Sequence, residues 1–346
     1  MYLSRIELHQ FRSHHDEVFQ FDPGVTIITG PNGSGKTNLL EAIYVLATGS
    51  SFRDSDEDLA EYDKEWWKIY GVIDDAPREI RYQSRSKTLT HRDTVRRRLT
   101  SNTRLPIVLF EPDDLLIIHG SPARRRRYID KLISNVDMTY APTLRRYERI
   151  VSQRNSLLKS HSSDLDTLFV LDIMLAEHAD RIVSARQKYI DLWSVELGGL
   201  YSAIAGVETH IDVAYHTKIT SPKQYKQALL SSLKHHLAYD RVHGVTSAGP
   251  HRDDVEFFIN HKPFVTTASR GEVRSLLLAL KKCEASMLQH THNVEPIVIW
   301  DDVMSELDMV RRRAITDYHS TSQIIMTSTE RYHDDSTAHY ISLELL

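Results

Sequence analysis

The stretch GPNGSGKT, Gly30 to Thr37, constrains this chain more than any other. It fits the phosphate-loop pattern G-x-x-x-x-G-K-[ST] at every fixed position. Val25-Thr26-Ile27-Ile28-Thr29 before it is β-branched and apolar, which suits a buried strand. Asn38-Leu39-Leu40-Glu41-Ala42-Ile43-Tyr44-Val45-Leu46 after it carries apolar residues at helical spacing. Strand, glycine loop and helix is the order that phosphate binding needs. Gly30, Gly33 and Gly35 let the backbone turn tightly and aim its N–H groups inward. The helix N-terminus adds partial positive charge where a phosphate would sit. The whole run, Gly30, Pro31, Asn32, Gly33, Ser34, Gly35, Lys36 and Thr37, is therefore expected to cradle a nucleotide. Lys36 is placed to reach its β- and γ-phosphates, and the Thr37 hydroxyl to ligate Mg²⁺.

The remaining composition sets bounds. At 346 residues, 41% of them hydrophobic, the chain is long enough for one large domain or two lobes with a sizeable core. No window approaches 18 uninterrupted apolar residues, so no membrane span is expected. The N-terminus, Met1 to Glu7, has a charged strand pattern rather than that of a signal peptide. Cys283 is the only cysteine. An internal disulfide is excluded, and a reducing cytoplasm is the expected location. A net charge of −4 announces no global affinity for nucleic acid, so any such surface must be local. The 19 histidines show no metal-ligand spacing. His14-His15 and His235-His236 read as exposed polar positions.

Periodicity predicts strands over 2–11, 18–21, 25–29 and 105–110, and a hairpin of 66–73 with 78–84 turning at Asp74-Asp75-Ala76-Pro77. Residues 48–63 read as a loop with a short helix. From Ser121 the pattern is helical: a start at Ser121-Pro122, then helices over 139–158, 165–197 and 222–239. A strand over 209–215 lies among them. The mixed pattern then returns, with strands over 255–259, 296–300, 323–327 and 340–343 and helices over 272–289 and 309–318. The expected organisation is an ATP-binding lobe over 1–118, a helical lobe over 119–242, and the rest of the ATP-binding lobe over 243–346.

A second signal is IVIWDDVMSELD, Ile297 to Asp308. An apolar strand ends in two carboxylates, as a Walker B segment does. Asp301 is expected to hold Mg²⁺, directly or through water. Asp302 is expected beside the γ-phosphate, polarising the attacking water. A third stretch, Ala268-Ser269-Arg270-Gly271-Glu272-Val273-Arg274-Ser275, heads an apolar helix. Ser269 with Glu272 is a capping box. In ATPases of the ABC type, a Ser-x-Gly segment at such a place binds the γ-phosphate held by the opposite subunit. Ser269 and Gly271 are therefore candidate nucleotide-binding residues, and Ser305-Glu306-Leu307-Asp308 follows in the order of that class.

The chain resembles the RecF family, bacterial DNA replication and repair ATPases related to SMC proteins. The resemblance is carried by LHQFRSH, GPNGSGKTNLLEAIYVLATGSSFR, FEPDDLLIIHGSPARRRRYID, RRYERIVSQRNSLLK, SAGPHRDDVEFFIN and the Walker B run, from about Leu8 to Thr327. It implies an α/β fold: an ABC-type ATPase head with mixed sheets around the P-loop, interrupted by a compact helical second lobe without a long coiled coil. It also implies a weak, DNA-stimulated ATPase, with ATP and Mg²⁺ as cofactors and an ATP-dependent homodimer. Implied partners are single- and double-stranded DNA, gapped or junction DNA, and RecR and RecO in loading RecA. The signature departs from the family's Ser-x-Gly-Gln, since Glu272 holds the last position. Trp300 is large for the strand before Asp301. Thr327 or Ser328 stands where ABC transporters carry a switch histidine.

Between Ser121 and Lys159 stand ten cations, Arg124, Arg125, Arg126, Arg127, Lys131, Arg145, Arg146, Arg149, Arg154 and Lys159, against three acids. Arg96-Arg97-Arg98 and Arg311-Arg312-Arg313 add smaller runs. Such a concentration in an acidic chain suits a phosphate-tracking surface as well as a solvated helix face. The reading is an ATP-driven DNA clamp in which each of two sites combines one chain's Lys36, Thr37, Asp301 and Asp302 with the other's Ser269 and Gly271. An ABC transporter ATPase subunit would share the core motifs but lack GPHRDD. An SMC-like structural protein would need long heptad arms.

Overall fold

The computed structural model describes residues 1–91, 94–97, 99, 103–160, 164–219, 224–302, 322–329 and 338–344. Contacts divide the chain into two units, one of Met1–Asp114 with Leu277–Leu346 and one of Leu115–Leu276.

The first unit opens with β1 (Leu3–Phe11), β2 (His14–Gln20), β3 (Val25–Thr29) and α1 (Lys36–Thr48). It continues with β4 (Trp66–Ile73), β5 (Ala76–Gln83), β6 (Ser86–His91), β7 (Thr94–Arg96) and β8 (Ile107–Phe110). An antiparallel sheet runs in the order β2-β1-β4-β5-β6-β7. The β4–β5 turn is tighter than expected. Asp74 and Asp75 take φ of 47° and 60°, so a two-residue turn suffices and Ala76 and Pro77 join the strand opposite Ile73 and Val72. Residues 49–63 form no helix. Their polar side chains bond locally instead, as where Ser51 Oγ accepts from the N–H groups of Arg53 and Asp54.

The second unit follows as α2 (Leu115–His119), α3 (Pro122–Val136), α4 (Tyr140–Lys159), α5 (Leu165–Ala205), β9 (Ile211–His216), α6 (Tyr225–His235) and α7 (Leu237–His243). It ends with β10 (Asp254–Ile259), β11 (Lys262–Pro263), α8 (Phe264–Thr267) and the start of α9 (Arg270–His292). α5 runs eight residues past its expected end, stopping at Gly206 with φ 71° in a left-handed cap. The helix expected over 222–239 is two among the described residues, α6 and α7, meeting at His236. Residues 243–276 group with this unit, not with the ATP-binding lobe as expected. The cause is pairing: β10 lies between β11 and β9 in one three-stranded sheet.

The chain then returns to the first unit with β12 (Ile297–Trp300), β13 (Ile324–Ser328) and β14 (His339–Ser342). These complete a parallel sheet in the order β14-β3-β13-β12-β8. Apart from the half-buried edge strand β14, its strands are mostly buried along their length, as expected of a sheet covered on both faces. Leu39, Ile43 and Leu46 of α1 share one buried cluster with Leu3, Ile6 and Leu8 of β1, Trp67 and Ile69 of β4, and Ile297, Ile299 and Ile325 of the parallel sheet. Gly71 of β4 leaves room for Leu46 of α1, since a Cβ there would lie 2.3 Å from the Leu46 side chain. The expected helix over 309–318, Ser305 to Asp308, Arg98 and Arg311 to Arg313 lie outside the described residues.

Candidate nucleotide site

Parallel pairing brings the carboxyl ends of β3, β12 and β13 to one edge of the sheet, where α/β proteins bind ligands. At that edge stand the phosphate loop, Asp301 with Asp302, and Thr327. Gly33 and Gly35 take φ of 86° and 87°. A Cβ on Gly35 would sit 2.7 Å from Ser13 Oγ and 3.0 Å from the His14 ring, so only glycine fits. Ser34 N–H donates to the Pro31 carbonyl at 3.2 Å, closing the loop. Lys36 Nζ donates to the carbonyls of Gly30 (2.7 Å) and Pro31 (2.8 Å), which curls the ammonium over the loop.

The two motifs meet in one bond. Thr37 Oγ1 donates to Asp301 Oδ1 at 2.9 Å across 264 residues of sequence. Asp301 is pinned from both sides, since its N–H donates to Phe110 O at 2.9 Å and its Oδ1 lies 3.0 Å from Thr327 Oγ1. Asp302 N–H donates to Thr327 Oγ1 at 2.8 Å, with Asp302 held in the left-handed region at φ 51°. Burial pushes the Asp301 carboxyl above the usual carboxylate range, partly offset by the hydroxyls of Thr37 and Thr327. Burial likewise lowers the Lys36 ammonium, against the opposing pull of Asp302 and Asp301. A hydroxyl beside a carboxylate that holds its proton more tightly than usual is a hard oxygen donor pair short of positive charge, which fits Mg²⁺. Among the described residues the buried Ser34 Oγ has no hydrogen-bond partner, as suits a loop built to receive one.

Three supports of the loop were not legible as such. His14 is 1% exposed, which corrects its reading as a surface position, whereas His15, His235 and His236 are exposed. Its Nε2 lies 3.1 Å from Gly35 O, and its Nδ1 faces the Glu17 carboxylate. Its burial follows from register, because β2 pairs Phe11 with His14 and turns the ring inward. Glu41 on α1 is fully buried and takes both Arg12 (2.9 and 3.0 Å) and Arg53 (2.7 Å). Burial alone would raise its carboxyl, but the hydrogen bonds from Arg12, Arg53 and Ser51 outweigh it and hold it below the usual range. The arginines of LHQFRSH and GSSFR thereby lock α1 in place. Thr327 is the third support. Its hydroxyl ties Asp301 and Asp302 to β13.

Within the second unit the Ser269 segment forms the full capping box. Ser269 N–H and Oγ both reach Glu272 Oε2 at 2.7 Å, and Glu272 N–H returns to Ser269 Oγ at 3.3 Å. Glu272 is thus folded back onto Ser269. The arginines of GSPARRRRYID and QRNSLLK knit this unit's interior, together with Arg186 of α5. Arg125 clamps Asp254 at 2.8 and 2.7 Å, and Arg126 donates to the Asp253 carbonyl. Arg154 reaches Asp172 (2.6 Å), Asp240 (2.7 Å) and Thr246 Oγ1 (3.0 Å). Arg186 clamps Asp130 at 2.9 and 2.8 Å and donates to Pro250 O at 2.8 Å. Of the ten cations in the basic cluster, Arg125 and Arg154 are therefore interior, and Arg126 is half-buried. Arg124, Arg127, Lys131, Arg145, Arg146, Arg149 and Lys159 are exposed.

The family model for the RecF/RecN/SMC N-terminal domain matches residues 2–343. The DNA replication and repair protein RecF of Lactobacillus johnsonii is 33% identical over 347 residues, 95% of this chain and 93% of that one. The chain belongs to the RecF family. The RecF of Streptococcus equi subsp. zooepidemicus is 31% identical over 99% of this chain and 96% of its own. Among solved structures, that of the recombination mediator protein RecF-ATPrS in the RecFOR pathway superposes with a TM-score of 0.88 at 29% identity, covering 99% of this chain and 97% of that one. RecF-ATP in the same pathway gives 0.86, at 29% identity over 96% of this chain and 93% of that one. An SMC head bound to the C-terminal winged-helix domain of ScpA, 15% identical with a TM-score of 0.53, shares the fold. The ABC/SMC-type ATPase head expected of the chain is the fold observed.

Proposed function

We propose that the chain is an ATP-dependent DNA-binding switch of RecF type, acting in DNA replication and in recombinational repair of single-strand gaps. The observation that carries the reading is the Thr37–Asp301 hydrogen bond, which joins phosphate loop and Walker B in the way ATP hydrolysis needs. The solved RecF-ATP and RecF-ATPrS neighbours support ATP as the nucleotide. Gly30 to Thr37 would cradle its phosphates, and Lys36 would neutralise charge on the β- and γ-oxygens. Thr37 and Asp301 would hold Mg²⁺, which when bound supplies positive charge to the same oxygens. Asp302 would orient the attacking water and accept its proton.

Ser269 and Gly271 would complete the site of a second copy in an ATP-dependent homodimer. The capping box holds the Ser269 hydroxyl on Glu272 at 2.7 Å, so that hydroxyl would exchange Glu272 for the γ-phosphate when the second copy binds. ATP then favours the closed dimer, hydrolysis removes the shared ligand, and turnover is slow. DNA, single- or double-stranded and gapped or with junctions, would track the exposed arginines. The RecFOR pathway named for the neighbours supports RecR and RecO as partners in RecA loading, in the cytoplasm. The alternative of a transporter subunit is not favoured, because RecF relatives match nearly the whole chain. Among the described residues no helix is long and apolar enough to cross a membrane. Sedimentation of the chain with and without ATP, on a gapped duplex, tests the proposal. An ATP-dependent dimer on DNA is expected, and an unchanged monomer off DNA in ATP would refute it.

A further inference from the structure

The sheet of the second unit carries a cluster that the ATP site does not use. On edge strand β9, alternation turns Ile211 and Val213 into the core. The flanking His210 and Asp212 therefore share the opposite face. The β10–β11 hairpin turns at Asn260 and His261, with φ of 48° and 63°, a two-residue turn that fixes His261 in place. Asn260 pins the strand end beside it, donating its N–H to His210 O at 2.9 Å and accepting from His210 N–H through Oδ1 at 3.4 Å.

As a result two imidazoles and one carboxylate converge. His210 Nε2 lies 2.7 Å from Asp212 Oδ2, and His261 Nδ1 lies 3.6 Å from the same oxygen. The imidazole rings are 4.5 Å apart, and one ligand atom from each of the three residues falls within 4.8 Å of the others. Bonds of about 2.0–2.1 Å to a tetrahedral zinc ion place its ligands roughly 3.3 Å apart, so side-chain shifts of about 1 Å or less would seat one. Two nitrogens and one oxygen suit a borderline ion rather than Mg²⁺, which wants oxygen donors throughout.

We propose that His210, Asp212 and His261 form a binding site for a divalent transition-metal ion of the Zn²⁺ class. Three protein ligands leave a fourth position open to water or to an incoming donor. Bound there, the ion staples the β10–β11 turn to the strand that follows α5.

The test is Zn²⁺ titration of the full chain, against a chromophoric chelator, with millimolar Mg²⁺ present to occupy the oxygen-donor site. One zinc ion per chain should bind above the background of scattered histidines and raise the melting temperature. His210→Gln, Asp212→Asn and His261→Gln should each weaken binding at least tenfold, since loss of an inner ligand costs no less than the 10- to 100-fold of an outer-shell partner. X-ray absorption of the one-to-one complex should show two imidazole nitrogens. All three side chains are partly or well exposed, so the variants should melt like the parent without metal. Titration curves that superimpose for parent and the His210→Gln/His261→Gln double variant would overturn the site, leaving an imidazole–carboxylate ion pair only. So would a zinc environment with fewer than two imidazoles.

Discussion

Asp302 and Thr327 act on one another at the tip of the Walker B strand. Thr327 Oγ1 is the acceptor for Asp302 N–H, and the same hydroxyl touches Asp301 Oδ1. Asp302→Asn should leave nucleotide binding intact and slow hydrolysis by roughly 10²-fold or more, the contribution of a positioned general base. A stopped-flow nucleotide titration beside a steady-state phosphate assay separates the two effects. Thr327→Val is isosteric but strips the acceptor from the Asp302 amide. It should cost about 1–3 kcal/mol of stability, read by urea unfolding. At this scale the sequence was legible where a motif fixes the residue type, as for Lys36, Thr37 and Asp301. It was not legible where a residue works through tertiary contact. Glu41 and Thr327 carry no local signal of their roles, because Arg12, Arg53 and Asp301 lie 12 to 29 residues away, and His14 is turned inward by strand register rather than by composition.

The elements of the second unit are tied by buried polar groups, and α4 shows the consequence. Tyr147 OH on α4 lies 2.5 Å from His251 Nδ1, and His251 Nε2 contacts Thr246 O at 3.0 Å. Burial pushes the His251 imidazole down to about 4. The folded state thus binds the proton more weakly than the unfolded chain, whose imidazole has a pKa of about 6.5. Stability is full above that value and falls as pH drops from there toward 4, by an amount on the order of 1–3 kcal/mol. His251→Asn should remove this part of the loss, visible as a smaller gap between urea midpoints at pH 7 and pH 5. A gap unchanged by the substitution would mean that His251 does not titrate in this way. Element types were readable from periodicity for long amphipathic runs such as α4 and α5. The β4–β5 turn, the loop over 49–63 and the strands β6 and β7 were not, since left-handed aspartates and pairing partners decide them. The basic cluster shows the same limit, because spacing cannot separate Arg125, clamped on Asp254, from Arg124 beside it in the open.

Viewed as one molecule, the chain is a RecF-family ATPase, and the DNA binding proposed for it would have to come from local charge, its net charge being −4. Arg124 and Arg127 are exposed and should contact phosphates, whereas Arg125 is interior. Replacing Arg124 and Arg127 with glutamine should weaken DNA binding with little sequence preference. It should also lower the log–log salt slope by about 0.7–0.9 for each phosphate no longer neutralised. An unchanged slope would return them to a solvated face. Arg125→Gln should instead destabilise the fold, since it leaves the buried side of Asp254 unpaired.

The central claim is a site shared head to tail between two copies, and one measurement addresses it directly. Lys36→Ala removes the phosphate-loop charge, and Ser269→Arg places a bulky cation where the partner's γ-phosphate would lie. Each variant alone should be inactive, with Ser269→Arg still binding ATP. A mixed dimer has one site damaged twice and one built from two intact halves. Turnover measured in equimolar mixtures across protein concentration should therefore recover part of the parent activity and grow with concentration as dimers form. No recovery at any concentration, with both variants folded, would contradict the shared site.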